Sequence, residues 1–449
     1  MKLGICEIVR FSSSHLHIFS TSSQLYGREK SLKVYIMDNY DFIVIGGGPA
    51  GMMAAGCAGE RGEKVILLEK TDRLGKKLLM CATGRCNVTN TAPLHVFIEA
   101  YGNGGNFLRP ALETFDNEKL RLFLLSYGAE TIVESKGRVF PKSQRADSIL
   151  NALETYMHNH HVKIQTNTHV LRLKLENNRI VGVETNHEEI PGRNVLIATG
   201  GLSYPNTGST GDGYKLASSV GHTVRPTYPA IIAFETAESW VKSLQGMPIK
   251  NANISCYQQN KKIAEHFGEA LFTHYGISGP AILDISKRLV ECLPNGPVQI
   301  HIDFKPKHAT EELDDILLNQ IKRHGGKAIK SCLTPLIPEK LAPILLNLCN
   351  IETQKKASQI TTPERNKILK QLKGLRLTLV RHRPIEEAIV TAGGISLDEV
   401  DTRTMKSKLL EGLYFAGEVL DIDGPTGGFN LQAAFSTGYL AGSSVKTTF

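Results

Sequence analysis

Tyr40-Asp41-Phe42-Ile43-Val44-Ile45-Gly46-Gly47-Gly48-Pro49-Ala50-Gly51 is the stretch that decides the fold. Asp41 to Ile45 is short, apolar and β-branched, as suits a strand buried on both faces. It runs into a glycine cluster that reads G-x-G-x-x-G from Gly46 to Gly51. Gly46 permits the tight turn out of the strand, Gly48 lets backbone amides approach a diphosphate, and Gly51 lets the next helix pack closely on the sheet. Met52 to Glu60 is rich in small residues and predicts that helix, and Lys64 to Leu68 predicts the following strand. The helix N-terminus, with Pro49 and Ala50 at its opening, then faces the diphosphate, where its dipole and free N–H groups favour negative charge. Glu69, 18 residues after Gly51, closes the second strand where a carboxylate can accept hydrogen bonds from a ribose, and Lys70 follows it. Strand, turn, helix, strand and distal acid in this order read as a Rossmann-type dinucleotide unit.

The far end of the chain narrows the nucleotide to FAD. Gly412 to Glu418 is an apolar strand ending in Gly417-Glu418, and in many flavoproteins such a late Gly-acid strand lies near the ribityl chain and diphosphate. Gly424, Gly427 and Gly428 follow, and then a helix-like run that includes Asn430 and Leu431. A helix N-terminus aimed at the ring edge would stabilise an anionic reduced flavin. A glycine-rich turn before a packing helix is the plainer alternative.

Between these ends the style of the sequence changes. Another strand is expected at Asn194 to Ala198, ending in Thr199-Gly200-Gly201, and residues 162–190 read as an antiparallel excursion turning at Asn177-Asn178. Beyond Ile232 come a strand-rich part (Asn253–Tyr257, Val298–Asp303) and an amphipathic helical part (Glu311–Arg323, Glu339–Cys349, Glu364–Leu372). The fold class expected is therefore α/β: a Rossmann-type FAD-binding domain over 37–231 and 380–449, interrupted by an inserted domain over 232–379 with a β-rich and a helical part. Residues 1–36 are Ser-rich and lack a clean apolar period. They read as a disordered N-terminal extension, with a transit peptide or translated sequence ahead of a start at Met37 as alternatives.

Composition excludes several classes. The 449 residues exceed one compact core, and 41% hydrophobic with 21% charged residues is ordinary for a globular protein. No apolar run is long enough to cross a bilayer. Of the formal charge of +8, residues before Met37 supply +3, so +5 is spread over the rest without an aromatic-interleaved basic stripe. Nucleic acid is thus a poor candidate partner, and attraction of phosphate-bearing cofactors or small anions is the better reading. Eight cysteines are too few for a disulfide framework and read as reduced thiols in a cytoplasmic protein. His158, His160 and His161 fall between a helix and a strand, a solvated turn, so no metal site is expected.

The sequence also resembles the bacterial BaiN/RdsA-type FAD-dependent oxidoreductases, described too as aminoacetone oxidase family FAD-binding enzymes. The stretches that carry the resemblance are Gly84–Asn90, Gly137–Pro141, Ala198–Pro205, Thr207–Gly213, Leu271–Pro280 and Tyr414–Gln432, so it spans nearly everything from Met37 onward. It implies a Rossmann FAD domain with an insertion, NAD(P)H as reductant, and a substrate that differs among members. It also offers Gly84, Arg85, Cys86 and Asn87, with Thr199 and Gly200, as cofactor contacts. One departure is the approach to Arg85, where Cys81-Ala82-Thr83-Gly84 replaces a more glycine-rich run.

Three residues are candidates for chemistry on the substrate: His274, whose imidazole can protonate a carbon or oxygen near neutral pH, Tyr204 and Asn87. Tyr275 and Ser278 are further donors. A satisfied structural histidine is an equal reading of His274. The C-x4-C spacing of Cys81 and Cys86 suits a redox disulfide, but the chain lacks a second G-x-G-x-x-G, and one thiol packed near the flavin with one incidental is preferred. The expected function is an FAD-dependent oxidoreductase using NAD(P)H and passing electrons to a small organic acceptor or oxygen. A flavin-dependent RNA-modifying enzyme and a disulfide reductase are the alternatives.

Overall fold

A computed structural model describes residues 39–446. The expected extension over 1–36 lies outside the described residues. A five-stranded parallel sheet runs in the order Leu413–Phe415, Val195–Ile197, Phe42–Ile45, Val65–Leu68, Lys163–Gln165. Ile43 pairs with Val195 and Ile66, and Val195 with Leu413. The late strand thus joins the sheet of the first, though almost the whole chain separates them. Phe42 to Ile45 and Val65 to Leu68 are buried throughout, because helices cover both faces of a parallel sheet. Each such side chain contributes about 1.5–3 kcal/mol on burial.

The helix after the glycine loop runs Pro49–Glu60 and begins earlier than expected, with proline at its first position. It packs on the C-terminal helix Phe429–Ser444, backbone to backbone: a Cβ on Gly438 would lie 2.3 Å from the Ala50 carbonyl oxygen, and one on Gly442 2.4 Å from that of Ala54. This contact explains why both helices are built from small residues. The antiparallel excursion pairs Val170–Glu176 with Arg179–Thr185 and Glu189–Pro191, turning at Asn177 and Asn178, whose φ of 49° and 59° suit asparagine.

The inserted part is a closed six-stranded barrel, in the order Phe234–Thr236, Gly276–Ser278, Lys261–Phe272, Pro248–Gln258, Val298–Asp303, Leu375–His382. Val298, Ile300 and Ile302 alternate inward along one strand. Its last strand reaches His382, past the boundary at 379 read from composition. Helices Thr310–Arg323, Ala342–Leu348 and Thr362–Gly374 cover the barrel and share its core. The chain leaves the sheet domain through Val224–Pro229 and returns through Thr391–Ile395, and these two crossings pair antiparallel. Helix Pro280–Cys292 reaches back to the sheet domain: Lys287 Nζ meets Asp423 at 2.7 Å, and the Thr426 hydroxyl donates to Asp284 at 2.5 Å.

Candidate active site

One cavity of about 570 Å³ opens along the carboxyl ends of the sheet strands, between the sheet domain and the base of the barrel. Open α/β sheets bind ligands at this edge. Gly46 leaves the first strand at φ +110°, and a Cβ there would sit 2.5 Å from the Ala198 carbonyl oxygen. A Cβ on Gly51 would come within 2.0 Å of the Gly46 carbonyl oxygen, so Gly51 sets the helix-to-strand contact and does not line the cavity. Gly48 differs from both. It has ordinary dihedrals, φ −82° and ψ 178°, and a Cβ there would meet no protein atom within 4 Å. The space it keeps clear belongs to the cavity.

Two helices open onto this space. Pro49–Glu60 begins after Gly48 and Phe429–Ser444 after Gly428, and neither N-terminus has a side-chain cap. Pro49, Ala50, Gly428, Asn430 and Leu431 all line the cavity. First-turn N–H groups with no internal partner are anion sites. Gly428 takes φ +100°, and a Cβ there would strike the Thr89 carbonyl oxygen at 2.2 Å, so only glycine fits.

The acids act partly as fasteners. Glu69 Oε2 accepts from the Gly47 amide at 2.8 Å and Oε1 from the Thr71 amide at 2.8 Å, which shapes the glycine loop and leaves further lone pairs toward the cavity. Lys70 binds Thr210 and, at 2.5 Å, Asp212. Burial opposes ionisation of Asp212, but the bonds from Lys70 and Thr210 outweigh it and hold its carboxyl below the usual range. Glu418 gathers three segments: Lys77 Nζ at 2.5 Å, the Ser203 hydroxyl at 3.1 Å and the Thr391 amide at 2.9 Å. Gly417, Thr199 and Gly200 line the same wall. The Thr199 hydroxyl is buried without a partner.

Residues 84–87 do not all reach the cavity. Gly84, Arg85 and Cys86 fall outside its lining. Arg85 is engaged by Gln144 at 2.6 Å and by Glu134, and lies over the Phe140 ring. Asn87 does line the cavity. With its amide turned to suit its neighbours, it donates to Val139 and Thr89 carbonyls, both at 3.1 Å, and accepts from the Gly428 amide at 3.0 Å. Those bonds hold the start of the C-terminal helix.

His274 is the clearest correction. It is exposed, stacks edge-on against Tyr275, and lies outside the cavity lining. The polar, glycine-containing run around it is the turn between Lys261–Phe272 and Gly276–Ser278, closed by the Gly276 amide on the Thr273 side chain at 3.0 Å. Tyr204 does line the cavity, half-buried, in a left-handed conformation (φ 54°) directly before Pro205. Burial first, and the neighbouring Cys81 second, raise its phenol above the usual value, so it stays protonated and can donate. Lys77, Asp212 and Thr426 also border the cavity and were missed. Asp212 alone had a local signal, in the run Gly208-Ser209-Thr210-Gly211-Asp212-Gly213. Ile231, Pro280, Leu283, Ile389, Val390 and Ile422 form an apolar outer wall.

An uncapped helix pair, a cleared glycine and an orphaned hydroxyl around one cavity fit FAD, and the fold and site define a flavin-dependent oxidoreductase. The chain belongs to the family described as HI0933-like protein Rossmann domain, whose model matches residues 40–444. It is 32% identical over 405 residues to the 3-dehydro-bile acid delta(4,6)-reductase of Clostridium scindens, covering 89% of this chain and 97% of that one. It is 29% identical over 405 residues to the ribosomal RNA dihydrouridine synthase of Escherichia coli, covering 90% and 97%. Among solved structures, the 3-ketosteroid delta1-dehydrogenase of Sterolibacterium denitrificans shares the fold at a TM-score of 0.51 and 13% identity, over 91% of this chain and 99% of that one. Among the described residues no helix is long and apolar enough to cross a membrane.

Proposed function

We propose that the protein is an FAD-dependent reductase that takes electrons from NAD(P)H and adds hydrogen across a carbon–carbon double bond of a small, largely apolar carbonyl compound. The observation that carries this reading is the composition of the cavity at the carboxyl ends of the sheet strands. Its inner end offers two uncapped helix N-termini for a diphosphate, and its outer wall, shared with the inserted barrel, is built from Ile231, Leu283, Ile389 and Ile422. One relative is named for reducing a delta(4,6)-unsaturated 3-dehydro bile acid and another for making dihydrouridine; both names describe hydrogenation of a double bond.

Bound FAD would supply a carrier for two electrons. Ala50 and its neighbours would hold its diphosphate, and Glu69, which orients the glycine loop, would accept from its ribose. Asn87 and Glu418 keep the C-terminal helix and the Thr391 segment in register with that loop. The apolar outer wall excludes water beside the acceptor, and the protonated Tyr204 hydroxyl donates to it.

The test is anaerobic. NADH or NADPH is mixed with the flavin-loaded protein, and the reduced protein is then offered a 3-oxo-4,6-diene bile acid or an unmodified ribosomal RNA fragment. Bleaching by a nicotinamide and rapid reoxidation by the steroid enone support the proposal. Reoxidation by the RNA alone, or no bleaching by either nicotinamide, overturns it.

A further inference from the structure

The turn from Cys81 to Asn87 contains a pair of groups that cofactor binding does not use. Cys81 lines the cavity, and the Cys86 side chain is fully buried behind it. Cys57, Cys256, Cys292, Cys332 and Cys349 are all buried, so Cys81 is the one cysteine among the described residues that borders the cavity. The Cys86 amide donates to the Cys81 carbonyl at 3.0 Å. Standard bond lengths on either side of that hydrogen bond keep the two Cα atoms within about 7 Å, the reach of a disulfide. Both thiols are free, and each is the largest influence on the ionisation of the other. This turn is held in a sparsely populated conformation, with Ala82, Thr83 and Cys86 at φ 48°, 55° and 61° although none is glycine.

The two sulfurs are also electronically unequal. The bond from Cys86 lowers the Cys81 thiol below its usual value; burial works against this, and the Asn87 amide and Lys77 reinforce it. The same bond and burial push Cys86 up. A half-buried thiol of lowered pKa on the cavity wall, beside a fully buried one of raised pKa, suits an attacking and a resolving cysteine.

We propose that Cys81 and Cys86 are a thiol–disulfide couple opening on the cofactor cavity, through which the protein exchanges electrons with low-molecular-weight disulfides. The Cys81 thiolate attacks one sulfur of an external disulfide. A Cys81–sulfur bond forms as the external sulfur–sulfur bond breaks, and the first external thiolate leaves. Cys86 then gives up its proton and attacks the Cys81 sulfur, which closes the internal disulfide and expels the second thiolate. Counted from two thiols, with Cys81 releasing its proton before the attack, the two cysteines lose two electrons and two protons, which convert one external disulfide to two thiols. Two electrons and two protons, from an external dithiol or from FAD reduced by NAD(P)H, restore the pair. Only the FAD return path rests on the reductase reading above.

The probe is 5,5′-dithiobis(2-nitrobenzoate) with the full-length protein, reduced and desalted beforehand. Wild-type protein should release two thionitrobenzoate equivalents in a fast phase, roughly tenfold or more ahead of its buried cysteines, and keep no adduct at Cys81. Peptide mapping should then find a Cys81–Cys86 cross-link two hydrogens lighter. Cys86→Ser should release one fast equivalent and retain the adduct on Cys81, and Cys81→Ser should lose the fast phase. Should either variant fail to fold, mapping of the wild-type chain decides alone. A stable adduct at wild-type Cys81, or a Cys81 no faster than the buried cysteines, overturns the couple. Because this readout needs neither flavin nor nicotinamide, its failure leaves the reductase reading standing, and failure of flavin reduction leaves the couple standing.

Discussion

Gly48→Ala separates what the fold needs from what the ligand needs. The backbone there is in a region that alanine adopts freely, and the added methyl would meet no protein atom within 4 Å. The ligand-free protein should therefore lose no more than about 0.5 kcal/mol, a surface-like effect. In the flavin-loaded protein the same methyl occupies the space through which the diphosphate approaches the first-turn amides. Displacing that group by about 1 Å stretches hydrogen bonds of about 2.9 Å beyond useful range. Each lost charge-assisted bond costs about 1.5–3 kcal/mol, so one or two losses total about 3 kcal/mol, a 100-fold weaker FAD affinity. Gly51→Ala is the comparison: its Cβ would lie 2.0 Å from the Gly46 carbonyl oxygen, and it should lower both stability and affinity. Denaturant melts of the apoproteins and fluorescence titrations with FAD measure the two quantities separately. A Gly48→Ala protein that binds FAD like the wild type refutes the reasoning, and one that unfolds without FAD refutes it equally.

Other expectations are simpler. Glu418→Gln sets an amide donor against Lys77, Ser203 or the Thr391 amide, and with these groups partly solvated it should cost about 2 kcal/mol; a thermal melt within a degree of wild type would contradict this. Tyr204→Phe should slow reoxidation by substrate roughly 100-fold and leave flavin reduction by NAD(P)H unchanged, whereas His274→Ala should change neither step by more than about twofold; stopped-flow absorbance reads both. His222 bonds Glu399 at 3.0 Å and Ser407 at 2.7 Å, and burial outweighs Glu399 to depress its pKa below 6.5. The unfolded chain therefore takes up a proton that the fold resists, and stability falls as pH drops below about 6.5. Melts across pH 7 to 5 should fall more steeply for wild type than for His222→Asn, and parallel slopes would exclude the effect.

The nucleotide unit was legible because its signals are local. Glycine spacing, the β-branched run before it and the acid after it are set by the sterics of one turn, and the structure returns them with Pro49 replacing Met52 as the start of the helix. The joining of the Leu413–Phe415 strand to the same sheet followed from its Gly-acid ending. What stayed hidden depends on distance along the chain. Lys77 and Glu418 are 341 residues apart, and nothing around Lys77 marks it as facing the cofactor wall. His274 misled for a different reason: threonine, histidine and glycine together are turn chemistry as much as catalytic chemistry, and here the turn uses them. Arg85 sat in a distinctive motif, yet Glu134 and Gln144 occupy its guanidinium.

The most direct measurement is the cofactor itself. Protein purified without added flavin is denatured, and the released chromophore is separated and quantified against FMN and FAD standards. The two uncapped helices and the glycine loop predict close to one FAD per chain. Recovery of FMN in its place, or of a colourless protein that takes up no FAD on titration, would contradict the assignment of the cavity.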